Sequence, residues 1–284
     1  MKWLKSVIKF FLPYGVILLH RKQSCHAAVE YTGNYSSWEA AARECEGYSS
    51  QTILDKVEKA TVEVLSGKAV FERDSVLFFH EEPNYPLISN ILVKAKNQKE
   101  LKILDYGGSL GSAYFQNRKY LSSFDKISWR IVEQPHFVKA GRKLFHGHSD
   151  ISFYETLDES MLDWEPDIVL FSGVLQYLPD YAEIIRKIKA AGIRLILIDR
   201  TLLYSEDEVH QNNHRFCIQT VSPEIYAARY PVQMFDQSEI TSLLEPEYTL
   251  FDKYLSYPDQ VVLEKPRAFC RYYGLCFERI MERS

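Results

Sequence analysis

Between Leu101 and Gly111 the chain reads Leu101-Lys102-Ile103-Leu104-Asp105-Tyr106-Gly107-Gly108-Ser109-Leu110-Gly111, an apolar run closed by a carboxylate and a glycine-rich turn. A strand that ends in such a turn and opens a helix brings backbone N–H groups close to a ligand. Gly107 and Gly108 remove the side chains that would block that approach, Ser109 continues the turn, and Gly111 lets the following helix pack tightly. The G-G-x-x-G spacing differs from the dinucleotide pattern G-x-G-x-x-G. Asp105, directly before the turn, disfavours a pyrophosphate and suits a cationic group. One strand–helix–strand step later, Val132-Glu133-Gln134 sets a second carboxylate at a strand tip, where it can accept both hydroxyls of a ribose, with Gln134 as a neighbouring hydrogen-bonding group.

Three further segments carry groups able to bind or to move a proton. Ser172-Gly173-Val174-Leu175-Gln176-Tyr177 follows a buried-type strand, so Ser172 is expected beside the cofactor and Gln176 and Tyr177 beside the second substrate. Asp199 is expected at the end of the next strand, as a proton acceptor or, with Arg200, as a structural ion pair. His210 and His214 are further proton-acceptor candidates, in and just beyond a polar stretch read as a substrate lid. Arg200 or Arg215 could hold a phosphate or carboxylate. His136 could cap a helix. No His, Asp or Glu spacing resembles a metal site.

The elements that must position these residues alternate. Strands are predicted at Leu101–Asp105, Ile127–Glu133, Ile151–Tyr154, Asp167–Ser172 and Ile193–Ile198, with helices between them, which implies a parallel sheet covered on both faces. From Glu239 onward another helix and two more strands are expected. Residues 31–97 read as mostly helical, with helices starting after Ser37, running from Ile53 to Leu65, and running from Pro86 to Lys96. The expected division is a basic amphipathic segment over 1–30, a helical extension or cap over 31–97, and an α/β domain over 98–284.

The 284 residues carry a net charge of −4, which argues against a nucleic-acid partner. Charge is uneven, because residues 1–22 hold Lys2, Lys5, Lys9, Arg21 and Lys22 and no acid. Leu4, Val7, Ile8, Phe11 and Leu12 fall on one helical face, and the uncharged run from Phe10 to Leu19 is too short to span a bilayer. A peripheral contact with anionic lipid fits this pattern, with packing on the protein itself and a cleaved signal peptide as alternatives. Pro13 within the apolar run and the basic cluster after it argue against the signal peptide. Five cysteines without a C-x-x-C pair favour a reducing compartment.

Taken together, Leu104–Gly111, Trp129-Arg130-Ile131-Val132-Glu133-Gln134, Leu175-Gln176-Tyr177-Leu178 and Ile198-Asp199-Arg200-Thr201 resemble a family of class I methyltransferases associated with bacterial surface-polysaccharide biosynthesis. Trp38-Glu39-Ala40, Gly47-Tyr48 and Tyr230-Pro231 extend the resemblance over nearly all of residues 31–278. It implies a Rossmann-like methyltransferase sheet, S-adenosylmethionine as cofactor, and cofactor binding by Asp105, the glycines and Glu133. A metal-independent O-methylation of a glycan or lipid-linked saccharide, on the cytoplasmic side of the membrane, follows as the expectation. The alternatives are a nicotinamide- or sugar-nucleotide-dependent enzyme on a similar sheet, or a catalytically silent binding subunit.

Overall fold

A computed structural model describes residues 29–45, 51–205, 215–222, 228–264 and 267–280. In chain order the elements are β1 (Val29–Tyr35), α1 (Trp38–Ala42), α2 (Gln51–Leu65), β2 (Phe71–Arg73), β3 (Val76–Phe78), α3 (Tyr85–Ala95), β4 (Glu100–Tyr106), α4 (Ser112–Asn117), β5 (Lys126–Val132), α5 (Pro135–Leu144), β6 (Ile151–Tyr154), α6 (Leu157–Met161), β7 (Ile168–Ser172), α7 (Tyr181–Ala190), β8 (Leu195–Tyr204), β9 (Arg215–Val221), β10 (Ala228–Met234), α8 (Gln237–Leu244), β11 (Tyr248–Glu264) and β12 (Arg267–Arg279).

Seven strands form the central sheet in the order β11-β12-β8-β7-β4-β5-β6. The five from β6 to β8 are parallel, and β12 inserts antiparallel between β8 and β11. The order reverses between β4 and β7, which makes the C-terminal ends of those strands a switch point where ligands bind. Alternate residues of each strand enter different cores. Ile103, Ile131, Leu170 and Leu197 pack with α2, α3, α4 and α5, whereas Leu104, Val169, Phe171 and Ile198 pack with α7 and α8. Both faces are therefore covered, which is the expected Rossmann-like α/β fold.

The expectation for residues 31–97 needs correction. The helices are present, and Ser37 caps α1 by accepting from the Ala40 N–H. The segment also contributes β1 and the β2–β3 hairpin. β1 pairs with β9, nearly two hundred residues away in sequence, and β9 pairs with β10 in a separate three-stranded sheet. The hairpin strands are three residues each, too short for a period-2 pattern to register. A boundary near residue 97 thus cuts through a sheet assembled from both sides of it.

β8 is longer than its apolar run Ile193–Ile198 implies. Its pairing with β7 ends at Ser172 opposite Asp199, but pairing with β12 continues to Tyr204. There Leu202, Tyr204, Cys217, Val232, Met234 and Cys270 form a third core that joins the extended β8–β12 ribbon to the three-stranded sheet. Burying each large apolar side chain stabilises this junction by about 1.5–3 kcal/mol. The ribbon and the small sheet stand over the switch point as one wall of a cavity. Residues 1–28, which include the basic amphipathic segment, lie outside the described residues. Among the described residues no helix is long and apolar enough to cross a membrane.

Candidate active site

The cavity above the switch point has a volume of about 650 Å³. β4 and the loop after it form one side. Asp105 is fully buried there, and its Oδ2 accepts a hydrogen bond from Trp129 Nε1 at 3.0 Å. Its Oδ1, equally buried, has no partner among the described residues. Burial pushes the Asp105 pKa up to about 7, with the Trp129 hydrogen bond and the Arg200 charge pulling the other way. The glycines are sterically required. A Cβ at Gly108 would sit 2.5 Å from the Asp105 carboxyl group, and one at Gly107, whose φ is +71°, would meet Val174 at 2.2 Å.

Glu133 follows β5 and faces the same cavity. Its Oε1 accepts from the Ser109 N–H at 3.3 Å and its Oε2 from the Gln134 N–H at 2.7 Å. Burial pushes its pKa up to about 7 as well, against the two backbone N–H groups. A carboxylate offers about four lone-pair sites, so these two bonds leave it able to accept from a ligand. Asp105, Gly107, Gly108, Ser109, Glu133, Gln134 and Ser172 all border the cavity, whereas Gly111 lies behind it, opening α4 at a φ of +95°.

On the opposite side, Gln176 and Tyr177 also reach the cavity. Gln176 donates through Nε2 to the Arg200 carbonyl at 3.3 Å, and its buried Oε1 has no partner among the described residues. The Tyr177 hydroxyl donates to Gln219 Oε1 at 2.7 Å, and Gln219 Nε2 reaches the Tyr230 hydroxyl at 3.2 Å. Tyr272, hydrogen-bonded to Tyr31, and Tyr257 complete a wall of rings with polar edges.

Asp199 is not where its expected role requires it. The expectation placed it at a strand end facing substrate. Instead it sits mid-strand at a bulge, where Asp199 and Arg200 together lie opposite Gly274 of β12. It is buried behind the cavity wall and accepts from four side chains. Tyr254 and Ser256 donate to Oδ1 at 3.0 and 2.9 Å, and Asn84 and Ser172 both donate to Oδ2 at 2.9 Å. Arg200, with a φ of +54°, turns the other way and lines the cavity, its Nε 3.6 Å from Asp199 Oδ2. A bulge re-aims side chains in this manner. Burial works against the Arg200 charge, but Tyr257, Asp199 and Asp74 outweigh it and hold its pKa above the ordinary guanidinium value. Asp199 therefore anchors Arg200 and is not positioned as a base.

Arg215 donates to the Gly33 carbonyl at 3.0 Å and does not line the cavity. His136 lies in the first turn of α5, off the cavity, and burial lowers its pKa. His210 and His214 lie outside the described residues. The cavity also takes in residues that local sequence patterns do not single out, chiefly Arg73, Asp74, Gln219, Tyr257 and Tyr272. Of this wall Gln176 and Tyr177 carried a signal as the loop after a strand, and Tyr230 through Tyr230-Pro231.

No protein-family model and no curated protein matches the chain. Among solved structures it is similar to an S-adenosylmethionine-dependent methyltransferase from Clostridium acetobutylicum ATCC 824, at 10% identity and a TM-score of 0.43, over 70% of this chain and 93% of that one. It is similar to the N-terminal domain of EvdMO1, crystallised in the presence of SAH and D-fucose, at 14% identity and a TM-score of 0.46, over 81% and 100%. It is also similar to magnesium protoporphyrin IX methyltransferase from Synechocystis PCC 6803 with bound SAM, at 12% identity and a TM-score of 0.43, over 69% and 77%. At such identities no residue role passes from those proteins to this one. The strand order and the two buried carboxylates at the switch point are the chain's own features.

Proposed function

We propose that this chain is an S-adenosylmethionine-dependent methyltransferase that acts on a hydroxyl group of a glycan or lipid-linked saccharide. The observation that carries the first half is the pair of buried carboxylates, Asp105 and Glu133, opening on one cavity on either side of a glycine turn that excludes any Cβ. The residues fit the cofactor. Asp105 Oδ1 is a buried acceptor without a donor among the described residues, suited to the cationic amino-acid end, and Glu133 retains lone pairs for the ribose hydroxyls. A volume of about 650 Å³ suits a small molecule with a second one beside it. When bound, S-adenosylmethionine supplies a methyl group activated by its sulfonium charge.

The chain's own residues then have four tasks. Glu133 and Gln134 hold the ribose, while Asp105 and the Gly107–Ser109 backbone fix the amino-acid end, with Ser172 beside it. The tyrosine wall takes the acceptor, because ring faces suit sugar C–H groups and the phenol and amide edges of Tyr177, Tyr257, Gln176 and Gln219 suit its hydroxyls. The same apolar wall excludes water from the reacting atoms. Proton removal from the acceptor hydroxyl we assign to His210 or His214, on the chain between β8 and β9, two strands whose residues line the cavity. The lipid-linked form of the acceptor rests on the basic, apolar character of residues 1–22.

Titration calorimetry with the full chain tests the cofactor assignment. S-adenosylmethionine and S-adenosylhomocysteine should each bind one to one, and NAD should not bind. Binding of NAD, or of neither adenosyl compound, would overturn it.

A further inference from the structure

We infer, on the reading that the cavity takes a saccharide acceptor, that its corner between the β2–β3 hairpin and β8 is an oxyanion subsite in which Arg73 and Arg200 receive a carboxylate or phosphate on that acceptor. Arg73 is the main evidence. Its guanidinium carbon stands 4.8 Å from the Phe78 ring centroid, 5.4 Å from Tyr257 and 6.0 Å from Phe71. Ring faces hold the guanidinium plane in place but satisfy none of its five N–H donors. Among the described residues no carboxylate lies within ion-pair distance of it and no side-chain or backbone acceptor reaches the guanidinium. The side chain is half-buried and borders the cavity. A stacked, planar fork of donors without acceptors is arranged in advance for a planar or tetrahedral oxyanion, which it can bind in a bidentate manner.

The surroundings favour the same reading. Tyr257 offers its ring to Arg73 and lies near enough to Arg200 to act on its charge, so the two cations flank one residue. The hairpin turns through Asp74 and Ser75, both in the left-handed region at φ +53° and +65°, and Arg200 is left-handed too. Two of these form the two-residue hairpin turn, which requires that conformation at both positions; the third, Arg200 at the bulge of β8, represents strain of the kind found at binding sites.

Nearby carboxylates do not neutralise Arg73. Asp199 lies behind the wall with its four donors and Arg200. Glu72 is turned to the Ser112 hydroxyl and the Ser75 N–H. Asp74, at the exposed hairpin tip, borders the cavity and its charge acts on Arg200, but among the described residues it makes no ion pair with Arg73.

The test is calorimetric binding of D-glucuronate, glucose 1-phosphate and D-glucose to the full chain, with and without saturating S-adenosylhomocysteine. At least one of the two anionic sugars should bind roughly tenfold or more tightly than glucose, and which one does so separates carboxylate from phosphate. Arg73→Gln should abolish that preference, and Arg73→Lys, which keeps the charge and loses the fork, should retain only part of it. Both variants should bind S-adenosylhomocysteine within about twofold of the parent, which also shows that they fold. Anionic sugars binding no tighter than glucose, or a preference that survives in Arg73→Gln, would overturn the inference. Failure of S-adenosylhomocysteine to bind would instead refute the methyltransferase reading, and the arm without it reports on the subsite independently.

Discussion

Replacing Glu133 with alanine removes the carboxylate that, in this account, holds the cofactor ribose. Its oxygens accept from two backbone N–H groups, at 3.3 and 2.7 Å, and keep lone pairs for two ribose hydroxyls. A hydrogen bond to a charged group is worth about 1.5–3 kcal/mol. With its pKa near 7, Glu133 is about half protonated in the free chain at neutral pH, which takes back only a few tenths of a kcal/mol. Two such bonds, weakened by residual water contacts in the variant, give a loss of about 2–4 kcal/mol, or roughly 30- to 1000-fold in Kd. Titration of S-adenosylhomocysteine into the parent and the variant at pH 8, where the carboxylate is ionised, measures it. A loss below about threefold, in a variant whose circular dichroism is unchanged, would refute the ribose assignment.

Three further outcomes follow. Asp105, Glu133 and Glu72 each have a folded pKa pushed up by burial to about 7 from ordinary values near 4. The folded chain therefore retains protons that the unfolded chain releases between about pH 4 and 7, and stability falls as pH rises through 7. Thermal melts from pH 5.5 to 8 should show that decline with a shallower slope in Glu133→Gln, while S-adenosylmethionine affinity rises over the same range; equal slopes in the two proteins would contradict it. Asp199→Asn should lower the unfolding free energy by about 3–5 kcal/mol in urea denaturation, because it leaves Arg200 buried without its carboxylate and turns an amide toward two existing donors. Unchanged stability would restore Asp199 as a candidate base. Deleting residues 1–22 should move the protein from anionic vesicles to the supernatant in a sedimentation assay; a full-length chain that never sediments with vesicles at low salt would end the membrane proposal.

The central sheet was legible because its signals are local. Ile168, Val169, Leu170 and Phe171 are buried on both faces and read as an unbroken apolar run, and Asp105 stands at the end of another. The donor half of the site follows from those strand ends. The acceptor half did not, because it is assembled over long separations. β1 meets β9 across nearly two hundred residues of sequence, and Arg73 enters on a hairpin whose Asp74-Ser75 turn lacks the glycine that usually marks one. Asp199 was misread for a specific reason: the apolar run stops at Ile198 while the strand passes through a two-residue bulge and resumes at Thr201. A bulge breaks the alternation that a sequence reading depends on, and it sends Asp199 and Arg200 to opposite sides of the wall.

The most direct test of the account is the electron density of S-adenosylhomocysteine in crystals of the full chain. Both ribose hydroxyls should lie within hydrogen-bond distance of Glu133, the amino-acid end over Gly107 and Gly108 with a donor to Asp105 Oδ1, and the sulfur should face Gln176 and Tyr257. Density elsewhere, or a ligand in this cavity whose ribose does not touch Glu133, would contradict it.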